Sequence, residues 1–416
     1  MTSAALPRKI FVYQASPGKS CLRGVQSPRL RWFDDHDGRG GSHHITVLPA
    51  SQDIDFTGRA SEIPDWAWTP VRNGSGKVLI DACLEGWPHS RERTCALHDF
   101  LDRVGVPHDR AVYVTQDRGY AGAYEHFLRK KHRGPGMKVL TFDFWLREIA
   151  RQYEDTGEEE FESRLAAYRA RPRRRPFRFL SLNRTPRETR ALFLLRLIRD
   201  GLWDQGAISV GGLDRLREEG DHSDDIVAWM MFRRHEFEDL NHELRPFVPR
   251  LAAIGEVVFR SGRTDLRFGD VLDEPLPQYA QSWFSVVTET EMKSWPCRIT
   301  EKSLKPLLNF HPLLFFGNPG SLDMLRAYGF ETFEGLFEQA YDKKHNPRRR
   351  FELAYREVQR LCAMDEAELD RLERGMDEVL IHNARHGLTA LPRIFRTERD
   401  HQIVVDILAP ADPASC

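Results

Sequence analysis

Apolar and polar positions alternate along this chain in two recurring patterns, short near-continuous apolar runs and longer stretches with helical spacing. Residues 9–13 (Lys-Ile-Phe-Val-Tyr) form a short β-type run that ends in a Ser-Pro-Gly turn. Residues 78–83 (Val-Leu-Ile-Asp-Ala-Cys) read as a strand buried on both faces, and residues 91–104 follow as an amphipathic helix. Residues 111–115 and 137–142 supply two further strands. Strand, helix and strand joined by short connections predict parallel pairing in a Rossmann-like layer. Residues 34–42 and 65–76, rich in Gly, Asp and Asn, read as loops.

The pattern then restarts. Residues 177–182 (Phe-Arg-Phe-Leu-Ser-Leu) predict a strand, and Asn183 to Arg190 opens a helix that should stop near Gly201. Thr185 is placed to cap it, Pro186 suits its first position, and Glu188 completes a capping box. Residues 207–210 and 257–259 are weaker strand candidates, and residues 283–288 and 312–316 are strong ones. From Phe333 the periodicity is helical, with charged amphipathic segments at 348–362 and 366–386. No repeat of solenoid period is present.

Composition narrows the class. A chain of 416 residues suits two domains rather than one. Lys plus Arg number 61 against 62 Asp plus Glu, so no global basic field argues for nucleic acid as the partner. No apolar run approaches the ~20 residues of a membrane span, and the first residues do not read as a signal peptide. The six cysteines form no CxxC pair, so neither a zinc knuckle nor a redox motif is visible. A reduced, cytoplasmic protein is expected, with peripheral contact at an inner membrane kept open. The basic run 171–176 (Arg-Pro-Arg-Arg-Arg-Pro) reads as a solvated interdomain linker. Its alternative reading is a contact with acidic lipid headgroups or an anionic acceptor.

Several residue clusters could carry chemistry. Arg184 and Arg187 flank a helix start, where free backbone N–H groups and the helix dipole favour phosphate. Glu289 stands at the carboxyl end of a strand, where ligand crevices form in open α/β sheets. Residues 298–317 place Thr300 as a cap, with Glu301, Lys302 and Lys305 on the helix it starts. The two lysines could neutralise a diphosphate and Glu301 could hold vicinal hydroxyls. A plain i,i+4 pair between Glu301 and Lys305, worth only about 0.3–0.5 kcal/mol, explains the same residues. Asp81 and Glu85, at the end of the 78–83 strand, are candidates for a general base. Asp34-Asp-His-Asp37 and His43-His44 superficially suggest a metal site but lack ligand spacing, so a loop is expected and no metal is assigned.

Residues 181–190 (Ser-Leu-Asn-Arg-Thr-Pro-Arg-Glu-Thr-Arg), 299–302 (Ile-Thr-Glu-Lys) and 317–330 (from Gly-Asn-Pro-Gly to Gly-Phe) together resemble bacterial and phage glycosyltransferase-like proteins. These are similar to the donor domain of α-1,3-fucosyltransferases. The resemblance implies the GT-B architecture, an α/β fold of two facing Rossmann-like domains, here followed by a helical C-terminal segment. Domain expectations are an acceptor domain at 1–170, a linker at 171–176, a nucleotide-sugar donor domain at 177–345 and a helical segment at 346–416. The resemblance further implies that Glu301 holds the donor sugar or ribose and that Lys302 meets the diphosphate. It implies a base from the N-terminal domain, with Glu85 as the best candidate. Lys305-Pro306 departs from the family's helix sequence. The implied activity is transfer of a sugar from a nucleotide-sugar to an acceptor hydroxyl, metal-independent, inverting and without a cofactor. The acceptor would be a saccharide, a lipid-linked glycan or a protein. Two alternatives stay open: a non-catalytic nucleotide- or carbohydrate-binding module, and a glycosyltransferase acting on modified DNA.

Overall fold

The structure is a computed structural model. It describes residues 10–14, 21–22, 25, 30–33, 43–50, 63–84, 86–131, 135–183, 187–211, 243–259, 276–290, 292–293 and 297–409. The chain forms two compact units. The first comprises Met1–Arg147, Trp295–Arg298 and Arg393–Cys416, and the second comprises Glu148–Ser294 and Ile299–Pro392.

Among the described residues the first unit is built on six parallel strands: β1 (Ile10–Gln14), β2 (Leu30–Phe33), β3 (His43–Pro49), β4 (Gly76–Ala82), β5 (Ala111–Thr115) and β6 (Lys138–Thr141). Their order across the sheet is β2-β1-β3-β4-β5-β6. Alternation along β4 separates its two faces. Val78, Ile80 and Ala82 join a core with Tyr13, Trp68, Phe100 and Tyr113. Leu79 and Cys83 join another with Ile10, Val12, Ile45 and Val114. That second face is covered by the helix Asp400–Leu408, whose Ile403, Val404 and Ile407 enter the same core. A buried ion pair ties this helix down. Arg147 donates from Nε and one Nη to the two oxygens of Asp400 at 3.1 and 2.9 Å. The pair is nearly inaccessible, at 2% side-chain exposure on each partner.

Among the described residues the second unit carries four parallel strands: β7 (Phe179–Asn183), β8 (Gly206–Val210), β9 (Phe284–Thr288) and β10 (Leu313–Phe316). Their order is β10-β9-β7-β8. The chain leaves β7 toward β8 and then returns to β7's other side, so the strand order reverses between β7 and β9. Such a reversal opens a crevice at the carboxyl ends of the two strands. The helix Glu188–Arg199 is buried on almost every side, through Leu192, Phe193, Leu195 and Leu197 among others. The helices Pro347–Cys362, Glu366–Gly375 and Asp377–Arg385 belong to the same unit. Two α/β units with all-parallel sheets, ending in helices, are the fold class the sequence predicts.

The differences have local causes. Residues 65–76 are not a loop: Asp65–Arg72 is a helix that buries Ala67, Trp68 and Val71 in spite of Pro70 and the following Asn and Gly. His43 and His44 are not loop residues either, for they begin β3. His44 is buried against Phe11, their rings 5.6 Å apart, and burial lowers its pKa. The 171–176 run is not fully solvated. Arg171 donates to the carbonyls of Asn309 and Phe310. Arg175 binds both oxygens of Glu373 and stacks over Trp283. Arg173 and Arg174 remain exposed. The last helical stretch belongs partly to each unit, because Arg393–Cys416 returns to the first. Residues 34–37 lie outside the described residues.

Candidate active site

The carboxyl ends of β7 and β9 gather a dense polar cluster in the second unit. Asn183 closes β7. Its side-chain oxygen accepts from Thr288 Oγ1 at 2.7 Å, and its amide nitrogen donates to Ser181 Oγ at 3.0 Å. These bonds fix the two strand ends across the point where the order reverses. Arg190, in the first turn of the helix Glu188–Arg199, is buried and donates from Nε to the carbonyl of Thr288 at 3.3 Å. Burial, with Arg187 nearby, pulls its pKa down to about 10 against the opposing pull of Glu289 and Glu301.

Glu289 follows β9 and is buried. Its oxygens accept from the Thr300 hydroxyl at 2.9 and 2.8 Å, from the Thr300 backbone N–H at 3.3 Å and from the Ser303 hydroxyl at 2.8 Å. Glu289, expected as a ligand contact, is therefore the anchor of the next element. It holds the start of the helix Glu301–Leu308 against the sheet. Thr300 in turn caps that helix by accepting the Lys302 N–H, and Leu304, Leu307 and Leu308 bury its inner face. Thr-Glu-Lys at a capped helix start was legible in the sequence. The carboxylate that fixes it from 11 residues earlier was not.

Glu301 projects from this anchored start. One oxygen accepts from Lys302 Nζ at 2.8 Å. The other, Oε2, is buried and has no hydrogen-bond donor among the described residues. Burial alone would raise the Glu301 pKa, but the Lys302 and Lys305 charges and the Lys302 hydrogen bond outweigh it and bring it to about 2. A depressed carboxylate pKa contributes stability above the ordinary carboxylate range and loses it as pH falls toward about 2. Glu301 is thus an anion throughout neutral and mildly acidic solution. The sequence left open a simple Glu301–Lys305 pair, and the structure instead pairs Glu301 with its neighbour Lys302 while Lys305 adds charge.

Arg187 is exposed at the N-cap of its helix, without a side-chain cap bond. The helix begins at Glu188, and the expected capping box falls on Thr185. Thr185, Pro186 and Arg184 lie outside the described residues. Beyond β10, Gly320 adopts a left-handed φ of 79° at the cap of the helix Ser321–Ala327. Asp342 accepts the N–H groups of Ser321 and Leu322 there. Arg350, buried, donates to the carbonyls of Gly317 and Met292 and so fixes the segments after β10 and β9. Neither Asp342 nor Arg350 was visible from local sequence, because each acts on residues about 20 to 60 positions away.

In the first unit, Asp81 does not stand as an open base. It is buried, and its two oxygens accept the backbone N–H groups of Cys21 at 2.7 Å and Cys83 at 3.1 Å. Glu85 lies outside the described residues. No helix among the described residues is long and apolar enough to cross a membrane.

The chain matches no protein-family model and no curated protein. Among solved structures it is similar to trehalose-6-phosphate synthase from Burkholderia multivorans, at 10% identity over 87% of this chain and 71% of that one, with a TM-score of 0.40. It is also similar to the N-terminal domain of Candida albicans trehalose-6-phosphate phosphatase, at 9% identity over 94% and 98% of the two chains, TM-score 0.41. A third likeness is to an α1,3-fucosyltransferase, at 9% identity over 92% and 94%, TM-score 0.38. At these scores the likenesses say nothing of substrate, residue roles or chemistry.

Proposed function

We propose that the protein is a glycosyltransferase whose second unit binds a nucleotide-sugar through Glu301, Lys302, Lys305 and Arg187. The observation that carries this reading is the Glu301 carboxylate. Its pKa is drawn down by the lysines, it is held at a capped helix start, and one buried oxygen has no donor among the described residues. Such an oxygen costs about 1–3 kcal/mol when left unpaired, and a ligand hydroxyl would satisfy it. Two ammonium groups and a helix N-terminus stand beside it, which suits an attached diphosphate. A hydroxyl donor joined to a diphosphate is the chemistry of a nucleotide-sugar. Lys302 and Lys305 would stabilise charge as the diphosphate departs, while an acceptor hydroxyl, with Glu85 as its proposed base, attacks the anomeric carbon.

Lys302→Ala tests the reading. Sugar transfer or slow donor hydrolysis should fall by about 100–1,000-fold, the range typical for loss of one preorganised charge-stabilising donor. The melting temperature should fall as well, because the Glu301 carboxylate loses its Lys302 partner, so activity is compared on protein shown to be folded. Full activity in this variant would remove Lys302 from the mechanism. A wild-type protein that binds donors but never cleaves them would be a binding module instead.

A further inference from the structure

A second cluster of chemically capable groups lies in the first unit and is unused by the proposed reaction. Cys21 sits in the connection after β1, Asp81 is the penultimate residue of β4, and Cys83 follows that strand. All three are buried, both cysteines completely. Each offers one ligand atom, and the two sulfurs and a carboxylate oxygen lie within 4.8 Å of one another. No local motif announces this group, because the cysteines are far apart in sequence and meet only through the sheet order.

The backbone prepares the arrangement. Asp81 Oδ2 accepts the Cys21 N–H and Oδ1 accepts the Cys83 N–H, so one carboxylate fixes the main chain of both cysteines. Carboxylates that bind metals are commonly held by such hydrogen bonds, which orient them and limit their motion. Alternation along β4 directs Asp81 and Cys83 to one face. Around the three residues that face is lined by Ile10, Val12, Ile45, Leu79 and Val114. An all-apolar strand end would pack there more simply than a carboxylate between two thiols.

We propose that Cys21, Asp81 and Cys83 form a buried site for one divalent cation of the zinc type. The donor set decides the class of metal. Two sulfurs select a borderline-soft ion, whereas magnesium and calcium take oxygen ligands. Binding would release the two thiol protons to solvent, giving two thiolates and a carboxylate around a divalent charge, a net of −1. Three protein donors fill three corners of a tetrahedron and leave the fourth for water or another ligand. β3 lies between β1 and β4 in the sheet. A metal joining Cys21 to Cys83 therefore spans the end of β3 and clamps the connection after β1 to β4. Strand order in this sheet reverses between β1 and β3, so the clamp would brace the place where the first unit has its own crevice.

Cobalt(II) gives the test, since it occupies zinc sites and reports thiolate ligation by colour. The full-length protein, reduced and freed of metal, should take up one cobalt per chain. It should develop a near-ultraviolet thiolate-to-cobalt charge-transfer band of an intensity set by two sulfurs, and one equivalent of zinc should bleach it. Cys21→Ser with Cys83→Ser should abolish the band, while Cys95→Ser, at a half-buried cysteine of the same unit, should keep it. Zinc should also raise the melting temperature of the wild type but not of the double variant. The wild-type spectrum and its stoichiometry stand on their own if the double variant does not fold. Absence of the band in the folded, reduced wild type would overturn the proposal, as would a band that survives in a folded double variant. A Cys21–Cys83 disulfide whose reduction restores no cobalt binding would also overturn it.

Discussion

Replacing Asp400 by alanine is expected to destabilise the first unit by about 3–5 kcal/mol, because it leaves the Arg147 guanidinium charged in a nearly dry core. Asp400 opens the C-terminal helix and takes two hydrogen bonds from Arg147. The pair joins that helix to the element Phe144–Gln152, and neither partner has water to fall back on. A urea melt followed by circular dichroism would register the loss as a lower midpoint for the first unit. The double replacement Arg147→Met with Asp400→Leu should recover much of it, since an apolar pair of similar volume removes both charges together. An Asp400→Ala midpoint within the range of an ordinary surface substitution would show that this pair does not hold the helix.

Glu289→Ala should have the next largest effect, and it should strike stability and ligand binding together. The carboxylate accepts the Thr300 N–H and the hydroxyls of Thr300 and Ser303. Its removal strands three donors beside the sheet, at about 1–3 kcal/mol for each that finds no other partner. Because the helix Glu301–Leu308 takes its position from these bonds, Glu301 and Lys302 would lose their fixed geometry even though neither is altered. Glu289→Gln keeps one acceptor oxygen and should be milder on both counts. A Glu289→Ala protein with unchanged melting temperature and unchanged donor affinity would break the link between this anchor and the site.

The architecture was largely legible in the sequence, and the reasons are visible in particular elements. β4, β5 and β9 announce themselves as apolar runs because both faces of a parallel sheet are covered. The helix Glu301–Leu308 was readable from its Thr300 cap and leucine spacing, which are local signals. The helix Asp65–Arg72 was hidden by Pro70 and its glycine-rich exit, where tertiary burial of Trp68 and Val71 overrides poor propensity. β3 was hidden by a histidine pair that suggested chemistry rather than packing. The remaining misses share one cause. Glu289 on Thr300, Arg350 on Met292, Arg175 on Glu373 and Asp81 between two cysteines are pairings across the fold. Side chains that meet this way leave no spacing in the linear sequence. Residue types could mark Glu301 and Lys302 as candidates, but only the fold shows that Glu301 keeps a buried oxygen without a donor among the described residues.

Direct binding of nucleoside diphosphates and nucleotide-sugars to the second unit's cluster is the most decisive measurement. In calorimetric titrations of the full-length protein, at least one nucleotide-sugar should bind with a stoichiometry near one. Lys302→Ala and Glu301→Gln should each weaken that binding about tenfold or more, the loss of roughly 1.4 kcal/mol expected when a charge-assisted contact is removed. No binding by any member of a panel covering the common bases and sugars, or equal affinity in wild type and both variants, would contradict the account.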